Sequence, residues 1–210
     1  MRLLAVDTAL GACSAAVLDG DKVLAHRFEA MARGHAERLA PMVDETMREA
    51  GLTFGALGRL AVTVGPGTFT GQRVGLALMR GLRLALGIPL SGVTTLEAIA
   101  HGAGGGKSAV IHDAKRGEAY LFLAEESRII LPPRVMAFEV AVARIAAFGP
   151  ATLAGTGAAA ASPALGPDYS LSPITQPDAL WVAQLAAARP PPSSVPGPLY
   201  LRAPDAKLPA

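Results

Sequence analysis

The residues that come closest to chemistry in this chain are Gly65-Pro66-Gly67-Thr68-Phe69-Thr70-Gly71-Gln72-Arg73. They follow the apolar run Leu60-Ala61-Val62-Thr63-Val64 and precede a long apolar helical pattern. A glycine-rich turn from strand into helix points backbone N–H groups at whatever lies before the helix, and anions bind there. Thr68 and Thr70 add hydroxyls. Together with Asp7 and Thr8 at the end of the first apolar run, Gly65, Gly67, Thr68, Thr70 and Gly71 form a candidate set for phosphate or nucleotide. Two familiar versions of that chemistry do not fit. A Walker A loop needs Lys after its last glycine, and Gln72 follows Gly71. A dinucleotide fingerprint needs tighter glycine spacing and an acid closing the next strand, whereas Leu90–Val93 ends without one. Pro66 also removes one N–H.

The remaining reactive side chains give weaker signals. Asp7 and Asp113 each close an apolar run that opens one half of the chain. Such a carboxylate either holds a metal or water in a two-lobed nucleotide clamp or caps a turn. His26, His35, His101 and His112 include no pair at helical ligand spacing, so they read as surface or core histidines and no metal site is predicted. There is no G-x-S-x-G elbow. The one cysteine, Cys13, lies in a strand-like run and reads as a buried thiol. No catalytic residue is predicted.

The elements that must position these residues can be read in order. Runs at 2–7, 12–18 and 22–28 predict strands, the last two joined by the turn signal Asp19-Gly20-Asp21. A helix is expected at 34–50, closed by Gly51, with a kink or late start at Pro41. A strand at 60–64, a helix at 71–87, a strand at 90–93 and a short helix at 95–101 follow. This order specifies an α/β lobe with a mixed sheet. Gly102–Gly106 marks the boundary, giving lobes 1–103 and 104–210. The second lobe shows strands at 108–112 and 118–124, a helix at 139–148, a strand at 151–154 and a helix at 178–188. It opens with a hairpin, as the first does, which hints at duplication. Pro190–Pro198 reads as extended, and Leu199–Arg202 as a strand-like return.

Composition bounds the class. Of 210 residues, 51% are hydrophobic and 17% charged, which supports a sizeable core. The net charge of +2 is too small to argue for nucleic acid by itself. Asp7 interrupts the first apolar run before a signal peptide could form, and no run suits a membrane span, so a cytoplasmic protein is expected.

Two helices carry more apolar surface than one sheet needs. In the 71–87 helix the polar residues Gln72, Arg73, Arg80 and Arg83 fall in one arc, and the rest is apolar or glycine. Either the helix is sandwiched inside its own lobe or its second side meets another chain. In the 34–50 helix, Ala36, Leu39, Ala40, Val43, Met47 and Ala50 form the expected core stripe. His35, Met42 and Thr46 lie beside it. The candidate partner face is therefore His35, Leu39, Met42, Thr46, Arg73, Leu76, Ala77, Met79, Arg80 and Arg83.

Several blocks carry a family resemblance. They are Leu4-Ala5-Val6-Asp7-Thr8-Ala9 with Cys13–Val17, His35–Met42, Gly65–Ala77, Asp113–Tyr120 and Pro198–Arg202. Together they make the chain resemble the bacterial TsaB (YeaZ) proteins of tRNA threonylcarbamoyladenosine (t6A) synthesis. The resemblance implies a two-lobed, actin-like ASKHA fold with a reduced second lobe. It implies a non-catalytic subunit that pairs with a TsaD-like transferase through the first two helices, or with itself in that partner's absence. A TsaE-like ATPase would join, tRNA would be met through the complex, and ATP or ADP would bind only at a shared interface. The alternatives are an ASKHA-type ATPase or kinase using the glycine loop and Asp7, and a degenerate glycoprotease-like metallopeptidase.

Overall fold

The computed structural model describes residues 1–126 and 128–202. The first half runs β1 (Arg2–Asp7), β2 (Ala12–Asp19), β3 (Lys22–Ala30), α1 (His35–Glu49), β4 (Arg59–Thr63), α2 (Phe69–Leu86), β5 (Leu90–Val93) and α3 (Thr95–Gly102). The second runs β6 (Lys107–Lys115), β7 (Glu118–Glu125), β8 (Arg128–Ala137), α4 (Phe138–Phe148), β9 (Thr152–Ala154), α5 (Ala158–Leu165), β10 (Ser170–Leu171) and α6 (Ala179–Ala187). The first sheet is ordered β3-β2-β1-β4-β5, and the second, from its β8 edge, β8-β7-β6-β9-β10. In each, three strands meander antiparallel and two more add in parallel. The two halves thus repeat one β-β-β-α-β-α-β-α unit, which is the duplicated ASKHA architecture.

Side-chain alternation decides which helices cover which face. Leu4 and Val6 of β1 point to the side where α1 and α2 lie. Leu3 and Ala5 point to the other side and meet Ala179, Val182, Ala183 and Ala186 of α6. In the second sheet, Ala109 and Ile111 face α4 and α5, while Val110 and Phe122 meet Leu96, Ile99 and Ala100 of α3. So α3 follows the first sheet but packs on the second, and α6 does the reverse. Residues beyond 178 therefore contribute to the first lobe's core, although they follow the 104–178 segment in sequence.

Several elements differ from expectation. β8 contains Pro132-Pro133, which reads as a break; they fall at the sheet edge where the register with β7 shifts between Leu131 and Arg134, so the regular ladder does not call on their N–H groups. α5 is an alanine run without amphipathic contrast, so periodicity gave no signal. α1 starts on time at His35 and holds Pro41 within it; Pro41 is exposed, so water can serve the carbonyl it leaves unbonded. α2 begins at Phe69 because Thr68 caps it. Residues 199–202 form no strand; one bond, Leu199 N–H to Val64 O at 2.7 Å, holds the start of this stretch.

Candidate functional site

The glycine loop closes directly on the end of β1. Thr68 N–H donates to Ala9 O at 2.9 Å. Thr8 Oγ1 donates to Gly71 O at 2.7 Å and accepts from Gly75 N–H at 3.0 Å. Thr68 Oγ1 accepts from Gly71 N–H at 3.0 Å. A Cβ on Gly67 would lie 2.3 Å from Ala9 O, and one on Gly71 2.2 Å from Thr8 O. These two glycines are needed because backbone packs against backbone. The structure does bring Thr8, Gly67, Thr68 and Gly71 together with Asp7, as the sequence suggests. However, the N–H groups of Thr68, Gly71 and Gly75 and the hydroxyls of Thr8 and Thr68 are bonded within the protein rather than turned toward a ligand. Gln72, expected on the polar arc, is buried and donates from Nε2 to Gly67 O at 2.9 Å, so it stiffens the loop from inside.

Asp7 is fully buried on the side of β1 that faces α6. Its Oδ1 accepts from Thr63 Oγ1 at 2.6 Å and from Ala9 N–H at 3.2 Å. Its Oδ2 has no partner among the described residues. Burial pushes this carboxyl up to about 7, against the lowering effect of the Thr63 and Ala9 bonds. Asp113 behaves differently. It is exposed, accepts from its own turn at Lys115 N–H (2.7 Å) and pairs with Lys115 Nζ at 2.8 Å. Of the two readings open for these acids, Asp113 takes the turn cap.

The histidines are scattered. His26 Nε2 meets Asp178 Oδ1 at 2.7 Å, His35 Nε2 meets Leu10 O at 3.0 Å, and His101 Nε2 meets Gln184 Oε1 at 3.0 Å. His112 is buried, and burial lowers its pKa to about 4, so its ring is neutral. Among the described residues, no three His, Cys, Asp or Glu side chains gather as a metal site. Cys13 is buried, and burial pushes its thiol up to about 12.

The helix faces require a correction. Leu39, Met42 and Thr46 of α1 and Leu76 and Met79 of α2 are all buried in the first lobe's own core. Thr46 Oγ1 donates back to Met42 O at 2.7 Å. Ala36 and Ala40, expected inside, are exposed. Both sides of α1 were apolar enough to bury. Hydrophobic gain scales with area, so Leu and Met turned inward and the alanines outward. Of the expected partner residues, Arg73, Ala77 and Arg80 are exposed, and His35 and Arg83 are half-buried.

A family model described as "TsaD: tRNA N6-adenosine threonylcarbamoyltransferase" matches residues 23–187. The chain is 32% identical over 205 residues to the tRNA threonylcarbamoyladenosine biosynthesis protein TsaB of Haemophilus influenzae, covering 89% of this chain and 85% of that protein. It is 36% identical over 150 residues to TsaB of Escherichia coli, where the match spans 65% of this chain and 64% of the relative. A crystal structure of a Pseudomonas aeruginosa protein similar to the peptidase YeaZ superposes with a TM-score of 0.80 at 30% identity, covering 96% and 99% of the two chains. The chain belongs to the TsaB (YeaZ) family.

In this TsaB-family chain the structure also shows residues that sequence reasoning passed over. Arg59, nearly fully buried on β4, donates to Ser91 Oγ (2.8 Å), Arg189 O (2.7 Å) and Pro190 O (2.9 Å). Arg80 holds Pro196 O at 2.6 Å, and Arg202 reaches Ala114 O in the second lobe at 3.0 Å. The proline-rich tail is thus strapped along α2 and onto the other lobe. No local pattern marks Arg59; it is an ordinary-looking charge before a strand. A second glycine loop was legible. Ala154-Gly155-Thr156-Gly157 echoes Val64-Gly65-Pro66-Gly67, and Gly157 N–H donates to Ile111 O (3.0 Å) much as Thr68 does to Ala9. No helix among the described residues is long and apolar enough to cross a membrane.

Proposed function

We propose that the chain is a non-catalytic subunit of t6A biosynthesis that pairs with a TsaD-like transferase through the outward face of α1 and α2. The observation that carries this reading is that face itself. Ala36, Ala40 and Pro41 on α1 and Ala77, Gly81, Leu84 and Ala85 on α2 are exposed, and Leu84 is 81% exposed. Small residues let a partner helix approach closely, and Leu84 supplies an anchor. Relatives named TsaB support the pathway. The internally bonded glycine loop supports a structural rather than a phosphate-gripping role. In this reading a second copy covers the face when the transferase is absent, and a TsaE-like ATPase joins the assembly in the cytoplasm. The chain carries no cofactor of its own; ATP or ADP binds at an interface shared with the partner.

The test is co-purification with the transferase homologue of the same organism. Ala77→Glu and Leu84→Asp should abolish both pairing and self-association while leaving the monomer's melting temperature within about 2 °C of wild type, since surface changes cost about 0.5 kcal/mol or less. A wild-type chain that stays monomeric and ignores the transferase sinks the proposal. One observation favours a second reading, an ASKHA-type ATPase: the unpartnered Oδ2 of Asp7. Calorimetry with Mg-ATP on the isolated chain decides it. Binding and turnover lost in Asp7→Ala would make the chain an enzyme.

A further inference from the structure

At the start of α2, one turn before Ala77, two aromatic rings and a guanidinium form an exposed stack beside the proposed pairing face. The rings of Phe69 and Tyr200 lie 5.7 Å apart, centre to centre, inclined by 26°. The Arg73 guanidinium sits 3.3 Å over the Phe69 ring, and its Nε donates to Tyr200 Oη at 2.8 Å. Phe69 is 49% and Tyr200 44% exposed. Leaving two large aromatic rings half in water sacrifices burial that a purely structural contact would use. The terminal nitrogens of Arg73 have no hydrogen-bond partner among the described residues, which leaves four N–H donors.

The surroundings are suited to a polyanion. Phe69 and Thr70 open α2, so their N–H groups have no intrahelical acceptor. The hydroxyl-bearing Thr68 and Thr70 flank Phe69 and are exposed. Two residues beyond Tyr200, Arg202 contacts the 114–118 turn of the second lobe, where Lys115 extends with 82% of its side chain exposed. The charges of that turn are paired, Glu118 with Arg202 and Asp113 with Lys115, so neither acid presents an unpaired negative charge to the stack. An acidic peptide would need only the cations. Half-exposed rings layered with an Arg plane match what splayed, unpaired bases stack upon.

We infer that Phe69, Arg73 and Tyr200 form a stacking platform for an unpaired base of single-stranded or loop RNA, with the terminal nitrogens of Arg73 and the first N–H groups of α2 taking the adjacent phosphate. This deepens the proposed function by giving the chain its own RNA contact beside the pairing face of α2, and it rests on that reading for the identity of the RNA as tRNA.

The experiment is fluorescence anisotropy on the full-length chain. The probes are a labelled 12-nucleotide oligo-U, a 12-base-pair RNA duplex and an unmodified tRNA transcript. Oligo-U and tRNA should bind in preference to the duplex, and more weakly as salt rises. Tyr200→Ala and Phe69→Ala should each weaken binding about five- to 150-fold, the worth of one stacked base. Tyr200→Phe keeps the ring and should stay near wild type. Equal binding by the alanine variants overturns the platform. So does a Tyr200→Phe variant as weak as Tyr200→Ala, which would mark the hydroxyl as a strap contact only. Displacement of RNA by an equimolar poly-Glu peptide would assign the surface to an acidic protein instead. If wild type binds RNA but ignores the transferase, the platform stands and the subunit reading falls.

Discussion

Asp7→Asn should flatten the pH dependence of this protein's stability. The Asp7 carboxyl is fully buried and raised from 3.8 to about 7, chiefly by desolvation. A folded-state value above the unfolded one means the folded chain keeps the proton longer. The contribution is complete below pH 3.8 and is lost as pH rises through 7. At about 1.4 kcal/mol per unit the whole effect is about 4 kcal/mol, of which about 3 kcal/mol falls between pH 5 and pH 8. For a chain of this length that is roughly 5–10 °C in melting temperature. Asn has nearly the same shape, its Oδ1 can still accept from Thr63 and Ala9, and it does not ionise. Whatever its amide costs beside the position of Oδ2 is constant with pH. The assay is urea unfolding of both proteins at pH 5, 6.5 and 8, read as the difference between them; titrating groups that are not coupled to Asp7 cancel. The variant should gain on wild type by about 3 kcal/mol from pH 5 to 8. Parallel curves would show that Asp7 is ionised throughout, and the desolvation argument would fail.

Gly71→Ala places a Cβ 2.2 Å from Thr8 O, so it should cost about 3 kcal/mol and lower the melting temperature by roughly 6–12 °C. Gly81→Ala, with nothing within 4 Å, should instead stabilise α2 by about 0.5–1 kcal/mol. The bond to Asp178 raises the His26 pKa above 6.5, so its stabilisation is present below pH 6.5 and lost as pH rises through the folded value. An NMR titration of His26 midway below 6.5 would contradict this, and His26→Gln should remove the dependence. Arg59→Met removes the donors to Arg189 O and Pro190 O, so the Leu199 amide should lose hydrogen-exchange protection; an unchanged exchange rate would mean Arg59 does not anchor the strap.

What the sequence made legible follows from how local each cause is. Gly67 and Gly71 announce a close backbone approach, and the structure supplies the carbonyls of Ala9 and Thr8 that demand it. The hairpin opening each half announces the repeated unit. The rotation of α1 was not legible. A wheel shows two apolar sides, and only the area of Leu39, Met42 and Met47 against that of Ala36 and Ala40 chooses between them. β8 was hidden because Pro132-Pro133 is tolerated only at an edge, and edge position is a property of the assembled sheet. The Arg59 clamp joins residues about 130 apart in sequence, beyond the reach of any periodicity.

The exchange of α3 and α6 between the halves accounts for the burial of Asp7. α6 returns from the second half to cover the first sheet on the side where Asp7 lies, and its N-cap is Asp178, whose negative charge further raises Asp7. In the second half Asp113 lies on the strand side of Ala109 and Ile111, the α4/α5 side rather than the side covered by α3, and it remains in water. The opening strands of the two halves therefore end differently, with a buried acid in one and a solvated turn cap in the other. A symmetric clamp needs both acids to face one ligand. This chain has enclosed one and turned the other to its own Lys115, while α2 keeps Ala77, Gly81 and Leu84 outward. On the proposed reading, the part of the first lobe that the transferase covers is the helix launched by the glycine loop.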